Sequence, residues 1–98
     1  MPNIKLNYLY RDSSNYKKYG FVILANPNNL ELQEFEMLIQ TKLIDNQWFY
    51  ADEWGVPELF FDWVDFRIDP TWHEFESIKS SDELPNCTLI LENIDLIE

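Results

Sequence analysis

The chain has 98 residues, 46% of them hydrophobic and 16% aromatic, and eighteen acidic side chains against seven basic ones give it a formal charge of −11. A chain of this length closes one hydrophobic core, so a single domain over residues 1–98 is expected. The charge repels phosphates and anionic headgroups at long range, which argues against direct nucleic-acid binding and against a membrane-surface role.

The first element in chain order is a strand. Residues 4–10 alternate, with Ile4, Leu6, Tyr8 and Tyr10 on one face and Lys5, Asn7 and Leu9 on the other. Residues 11–18 are polar and turn-like. The continuous apolar run Phe21-Val22-Ile23-Leu24-Ala25 then predicts a strand buried on both faces and hence central. A short polar connection between two strands makes an antiparallel hairpin the simplest arrangement. Asn26-Pro27-Asn28-Asn29 is a turn leading into a helix over about 30–43, where Leu32, Phe35, Ile39 and Leu43 share a face with Leu38 beside it. Glu31 and Glu34 sit early and Lys42 late, as the helix dipole favours. Asp45-Asn46 is expected to end the helix with turn chemistry.

Residues 47–51 suit a strand, and 52–57, with Trp54-Gly55 and Pro57, a loop. Residues 59–66 fit neither a helical nor a strand period. Asp69-Pro70 is a break or a helix start with Pro70 at the first helical position, and 72–79 are read as a strand in preference to a short helix. Cys87-Thr-Leu-Ile-Leu-Glu92 predicts a last strand, followed by a tail at 94–98. The order β-β-α-β-β-β predicts an α+β domain, an antiparallel sheet of four to five strands with the one main helix packed on one face.

No apolar run approaches the roughly 20 residues of a membrane span, and no basic-then-apolar leader opens the chain, so a signal peptide is not expected. Cys87 is the lone cysteine; it forms no internal disulfide, suits a reducing cytoplasm, and reads as a small buried side chain beside Leu89.

Charge is distributed unevenly. Residues 1–30 carry Lys5, Arg11, Lys17 and Lys18 against Asp12, whereas residues 31–98 carry seventeen acids against Lys42, Arg67 and Lys79. Between Trp48 and Glu76 lie ten aromatic residues, eight carboxylates, all four tryptophans and the single histidine, His73. His73, with Glu74, Glu76 and Asp69 nearby, invites a metal or hydrolytic reading, but in a strand His73 and Glu74 point to opposite faces. The competing reading is a partly exposed histidine with solvated neighbours. Carboxylate pairs drawn from Asp62, Asp65, Glu74 and Glu76 could serve acid–base chemistry, yet such pairs arise by chance in a chain this acidic. There is no glycine-rich phosphate loop and no nucleophile motif. No catalytic residue, cofactor or small-molecule substrate is therefore expected, and the chain is read as non-enzymatic.

Three strings, Tyr10-Arg11-Asp12 with Asn15-Tyr16-Lys17, Trp54-Gly55-Val56-Pro57, and Trp72-His73-Glu74-Phe75-Glu76, resemble those of a set of short acidic bacterial proteins with no assigned activity. The resemblance spans most of the chain and implies a bacterial, cytoplasmic, stand-alone protein. It transfers no site. In that set a histidine often stands two positions before the Trp-His-Glu-Phe-Glu string, where this chain has Pro70, so the resemblance does not supply a second histidine ligand here.

Tryptophan is favoured at interface hot spots, and surrounding acids select a basic partner. Trp48, Phe49, Phe61, Trp63 and Phe75 are expected in the core, with Trp72 read there too, which leaves Trp54 beside Gly55 and Pro57 as the exposed ring. The expected contact surface is Asp52, Glu53, Trp54 and Glu58, extended by Asp62 and Asp65. It would meet a basic protein, as an immunity protein, inhibitor or nucleic-acid mimic does. Self-association through an open sheet face is the other binding reading.

Overall fold

Alternation in the first strand decides which face of the sheet becomes the core. In the computed structural model, which describes residues 3–27 and 29–86, strand β1 (Asn3–Arg11) buries Ile4, Leu6, Tyr8 and Tyr10 on one side. Strand β2 (Lys17–Leu24) returns antiparallel, with Leu6 opposite Val22 and Tyr8 opposite Gly20. Asp12 builds the turn between them. Its carbonyl accepts from the Asn15 amide, its Oδ1 accepts from the Ser14 and Tyr16 amides at 3.0 and 2.9 Å, and Asn15 sits at φ +69°. Asparagine tolerates that left-handed geometry better than most residues.

Strand β4 (His73–Ser81) pairs with the other side of β1, and the two-residue strand β3 (Trp48–Phe49) pairs with β4. Every pairing is antiparallel and the order is β2-β1-β4-β3. The architecture is α+β, as expected. The Phe21–Ala25 run, expected to be central, instead lies at an edge among the described residues; β1 and β4 are the inner strands. Val22, Ile23 and Leu24 are nonetheless buried, and the Ile23 amide and carbonyl exchange hydrogen bonds with Asn86 at 2.9 and 3.2 Å. The expected strand at 87–92, the tail at 94–98 and the burial of Cys87 lie outside the described residues.

A bulge in β4 decides which side chains reach the core. Strict alternation back from Ile78 would place Glu76 and Glu74 on the buried face and leave two carboxylates without water. The register with β1 instead slips at Glu76: Ser77 faces Asn7, but Phe75 faces Tyr8. One extra residue, the exposed Glu76, turns Phe75 and His73 inward and Glu74 outward.

Helix α1 (Leu32–Lys42) starts two residues later than the periodicity predicts, because Glu31 becomes its cap. The Glu31 amide donates to Glu34 Oε1 at 3.2 Å as half of a capping box. Phe35, Ile39 and Leu43 join Ile4, Leu6, Leu24 and Ile78 in one buried cluster. Leu32, expected with them, is 38% exposed at the first turn. The helix ends at Lys42, where Leu43 turns extended as its cap, and not at Asp45-Asn46 as expected; those two residues, both at positive φ, make the turn that follows, between the bridged Ile44 and Trp48.

After β3 the chain forms one helical turn, α2 (Ala51–Trp54), where a longer strand and then a loop were expected. Gly55, at φ +70°, closes it: the Gly55 amide reaches the Asp52 carbonyl and the Val56 amide the Ala51 carbonyl, the paired bonds of a Schellman motif. This closure turns Trp54 into the core. Residues 57–72 then form a strap with no strand or helix of their own. Its Leu59 methyls lie against Gly20, where an added Cβ would meet them at 2.9 Å, so the missing side chain on β2 makes their seat. Among the described residues no helix is long and apolar enough to cross a membrane.

Candidate functional site

The strap is held by side chains, because it makes no ladder bonds. Two tyrosines on the core face of β1 take its ends: Tyr8 donates its hydroxyl proton to the Pro57 carbonyl and Tyr10 to the Pro70 carbonyl, both at 2.7 Å. The Leu59 amide donates to His73 Nε2 at 2.9 Å. Trp63 Nε1 donates to Asp12 Oδ2 at 3.2 Å. Asp69 ties the strap to the hairpin turn: its Oδ1 accepts the Ser13 amide and hydroxyl at 2.9 and 2.7 Å, and its Oδ2 accepts the Asp65 amide at 2.9 Å. These donors, the Ser13 hydroxyl first, hold the Asp69 carboxyl below the ordinary range of an aspartate. Burial, with Asp69 and Asp12 nearby, pushes the Tyr10 phenol up to about 12.

The strap determines which aromatics meet solvent, and the outcome corrects the sequence expectation. Trp54 is 3% exposed and stacks on Phe49 at 4.4 Å, so it belongs to the core and cannot be a contact residue. Trp63, expected in the core, is 62% exposed. Its ring lies flat on Phe61 at 4.5 Å and 10°, with Tyr16 edge-on at 6.5 Å. Phe61 itself is only half-buried, and Phe66, Ile68 and Trp72 are also exposed. Asp52, Glu53, Glu58 and Asp62 are exposed as expected; Asp65 is half-buried and chelated by Arg67 at 2.8 to 3.2 Å. That guanidinium draws the Asp65 carboxyl below its ordinary value.

The three residues of the metal reading do not converge. His73 is fully buried on the core face, ringed by Tyr8, Tyr10, Phe49 and Phe60 with centroids 5.1 to 6.1 Å away. It is not the partly exposed side chain expected. Accepting a bond at Nε2 requires a neutral imidazole, and burial drives its pKa down to about 4 against a small opposing pull from Asp52. Its Nδ1 is buried and has no hydrogen-bond partner among the described residues. Glu74 lies on the opposite face and pairs with Arg11 at 2.6 Å, while Glu76 points to solvent from the bulge. Among the described residues no group of three or more His, Cys, Asp or Glu side chains could hold a metal ion.

Beside the exposed tryptophan, an open cleft of about 750 Å³ lies where the end of β1, β3 and the second half of the strap meet. Its lining includes Arg11, Asp12, Trp48, Arg67, Asp69 and Trp72. Sequence reasoning missed the roles of Asp12 and Asp69. The Asp12-Ser-Ser-Asn turn chemistry was legible, but nothing local joins Ser13 to Asp69, 56 positions away. No known protein family, no curated protein and no solved structure matches the chain.

Proposed function

We propose that this chain is a non-enzymatic binding protein that meets a basic protein partner through the acidic, aromatic surface of residues 57–72, acting as an immunity protein, inhibitor or nucleic-acid mimic does. The observation that carries the reading is Trp63. A large ring left in water is costly unless something covers it. This ring is also held still, stacked on Phe61 and hydrogen-bonded through Nε1 to Asp12. A rigid, exposed aromatic is the kind of side chain that anchors an interface, because little entropy is lost when a partner closes over it. Asp62 beside it and the overall charge of −11 select for basic surfaces and speed encounter. The lone Cys87 is compatible with a reducing cytoplasm as its compartment, which we propose with it.

The test is capture from native lysate on immobilised protein, at low and at moderate salt, beside a Trp63→Ala variant. The reading expects a basic protein retained at low salt, released as salt rises, and lost on the variant by about tenfold or more. Failure to retain any protein at low salt, retention indifferent to salt, or full retention by the variant would each reject it.

A further inference from the structure

The cleft next to Trp63 has a chemistry of its own. Its volume of about 750 Å³ lies within the range of sites that enclose a ligand, roughly 300–1,000 Å³, and exceeds what one inserted side chain fills. One wall is the indole pair Trp48 and Trp72, with centroids 6.0 Å apart and rings inclined at 51°. Both are partly exposed.

Register explains why the pair is there. Trp48 pairs with Glu74, which pairs with Leu9, so all three lie on the face opposite the core, and Trp72 precedes β4 by one residue. Gln47 and Thr71 are exposed on the lining and offer amide and hydroxyl groups to an extended backbone.

Charge decides between occupants. The two guanidinium groups of the lining are already engaged. Arg11 bonds Glu74 and Asn15, and Arg67 bonds Asp65. Asp12 and Asp69, by contrast, are buried and, among the described residues, accept from neutral donors alone: amides, a hydroxyl and an indole. Among the described residues no cation pairs with either carboxylate at the cleft lining. An anion would have to displace a carboxylate from an arginine within a chain of charge −11. A cation finds surplus negative charge and two indole faces, the setting in which ammonium and guanidinium groups bind over aromatic rings.

We infer that the cleft seats an extended basic segment of the partner protein, with a lysine or arginine side chain laid against Trp48 and Trp72. The inference rests on the proposed function above and adds to it a second, separate contact: Trp63 anchors the partner's surface, and the cleft takes its basic chain.

The test titrates the purified full chain with blocked hexapeptides of alternating Arg-Ser or Glu-Ser, and with spermine, at about 150 mM salt to suppress diffuse attraction. The indole N–H signals of the four tryptophans are followed by NMR. The Arg-Ser peptide should shift the Trp48 and Trp72 signals saturably and leave Trp54 unmoved. Trp72→Ala should weaken it by about tenfold. Thr71→Lys, a change at an exposed position that spares the core, should abolish binding by placing a cation in the cleft. Equal shifts with the Glu-Ser peptide or with spermine would overturn the inference. So would shifts centred on Trp63, or none at millimolar peptide. If a lysate partner is lost with Trp63→Ala but unaffected by Trp72→Ala and Thr71→Lys, the cleft inference fails while the proposed function stands.

Discussion

At the scale of single residues, His73 and the tryptophans carry the sharpest consequences. Folding lowers the His73 pKa from 6.5 to about 4, so the unfolded chain takes up the proton first. The contribution is intact above pH 6.5, shrinks as pH falls through that interval, and levels off below about pH 4, a loss on the order of 3 kcal/mol. Because His73 is the only histidine, its imidazole NMR signal reads the effect directly; the midpoint is expected near pH 4, and a midpoint near 6.5 would contradict the burial described here. Carboxylates titrate over part of the same range, so the stability effect is read as the difference in urea unfolding between the native chain and His73→Phe. The tryptophans separate by location. Trp54→Ala removes a ring stacked on Phe49 in the core and should cost about 3–5 kcal/mol in urea unfolding. Trp63→Ala, at an exposed site, should cost no more than about 1 kcal/mol. Both rings sit in aromatic-rich, acid-flanked stretches of sequence, so composition alone cannot rank them.

At the scale of elements, the hairpin and α1 were legible because strand alternation and helical spacing are local patterns that packing here reinforces. The segment 47–57 was not. Gln47 to Ala51 has strand propensity, but the turn at Asp45-Asn46 and the Gly55 closure leave room for two strand residues and one helical turn. Gly55→Ala tests that closure. A Cβ there would meet open space, so the expected loss of about 1 kcal/mol is purely that of the left-handed backbone, read by thermal or urea unfolding. The bulge at Glu76 was likewise hidden, since it exists to keep Glu74 out of a core that only the assembled sheet defines. The strap makes a further prediction. Asp69→Ala removes the acceptor for Ser13 and for the Asp65 amide, and amide exchange within 59–70 should quicken by about tenfold or more while β1 and β4 stay protected. Exchange that quickens equally across the sheet would mean that the strap is not a separable unit.

At the scale of the whole molecule, charge and fold act on different quantities. The exposed carboxylates Asp52, Glu53 and Glu58 are rim charges in the proposed complex; replacing all three by their amides should slow association several-fold and leave dissociation nearly unchanged, measured by surface plasmon resonance with the captured partner. Length, composition and periodicity by themselves determined the α+β class, the opening hairpin, the main helix and the imbalance of charge along the chain, because each is a property of near neighbours or of simple sums. Only the tertiary structure decided which tryptophan is buried, which carboxylates are latches, and where a cleft opens. Those outcomes depend on bonds between residues 49 to 60 positions apart, Tyr8 with Pro57, Tyr10 with Pro70, Asp12 with Trp63 and Ser13 with Asp69. They exist only once β1 lies beneath the strap, and no local pattern in the sequence encodes that meeting.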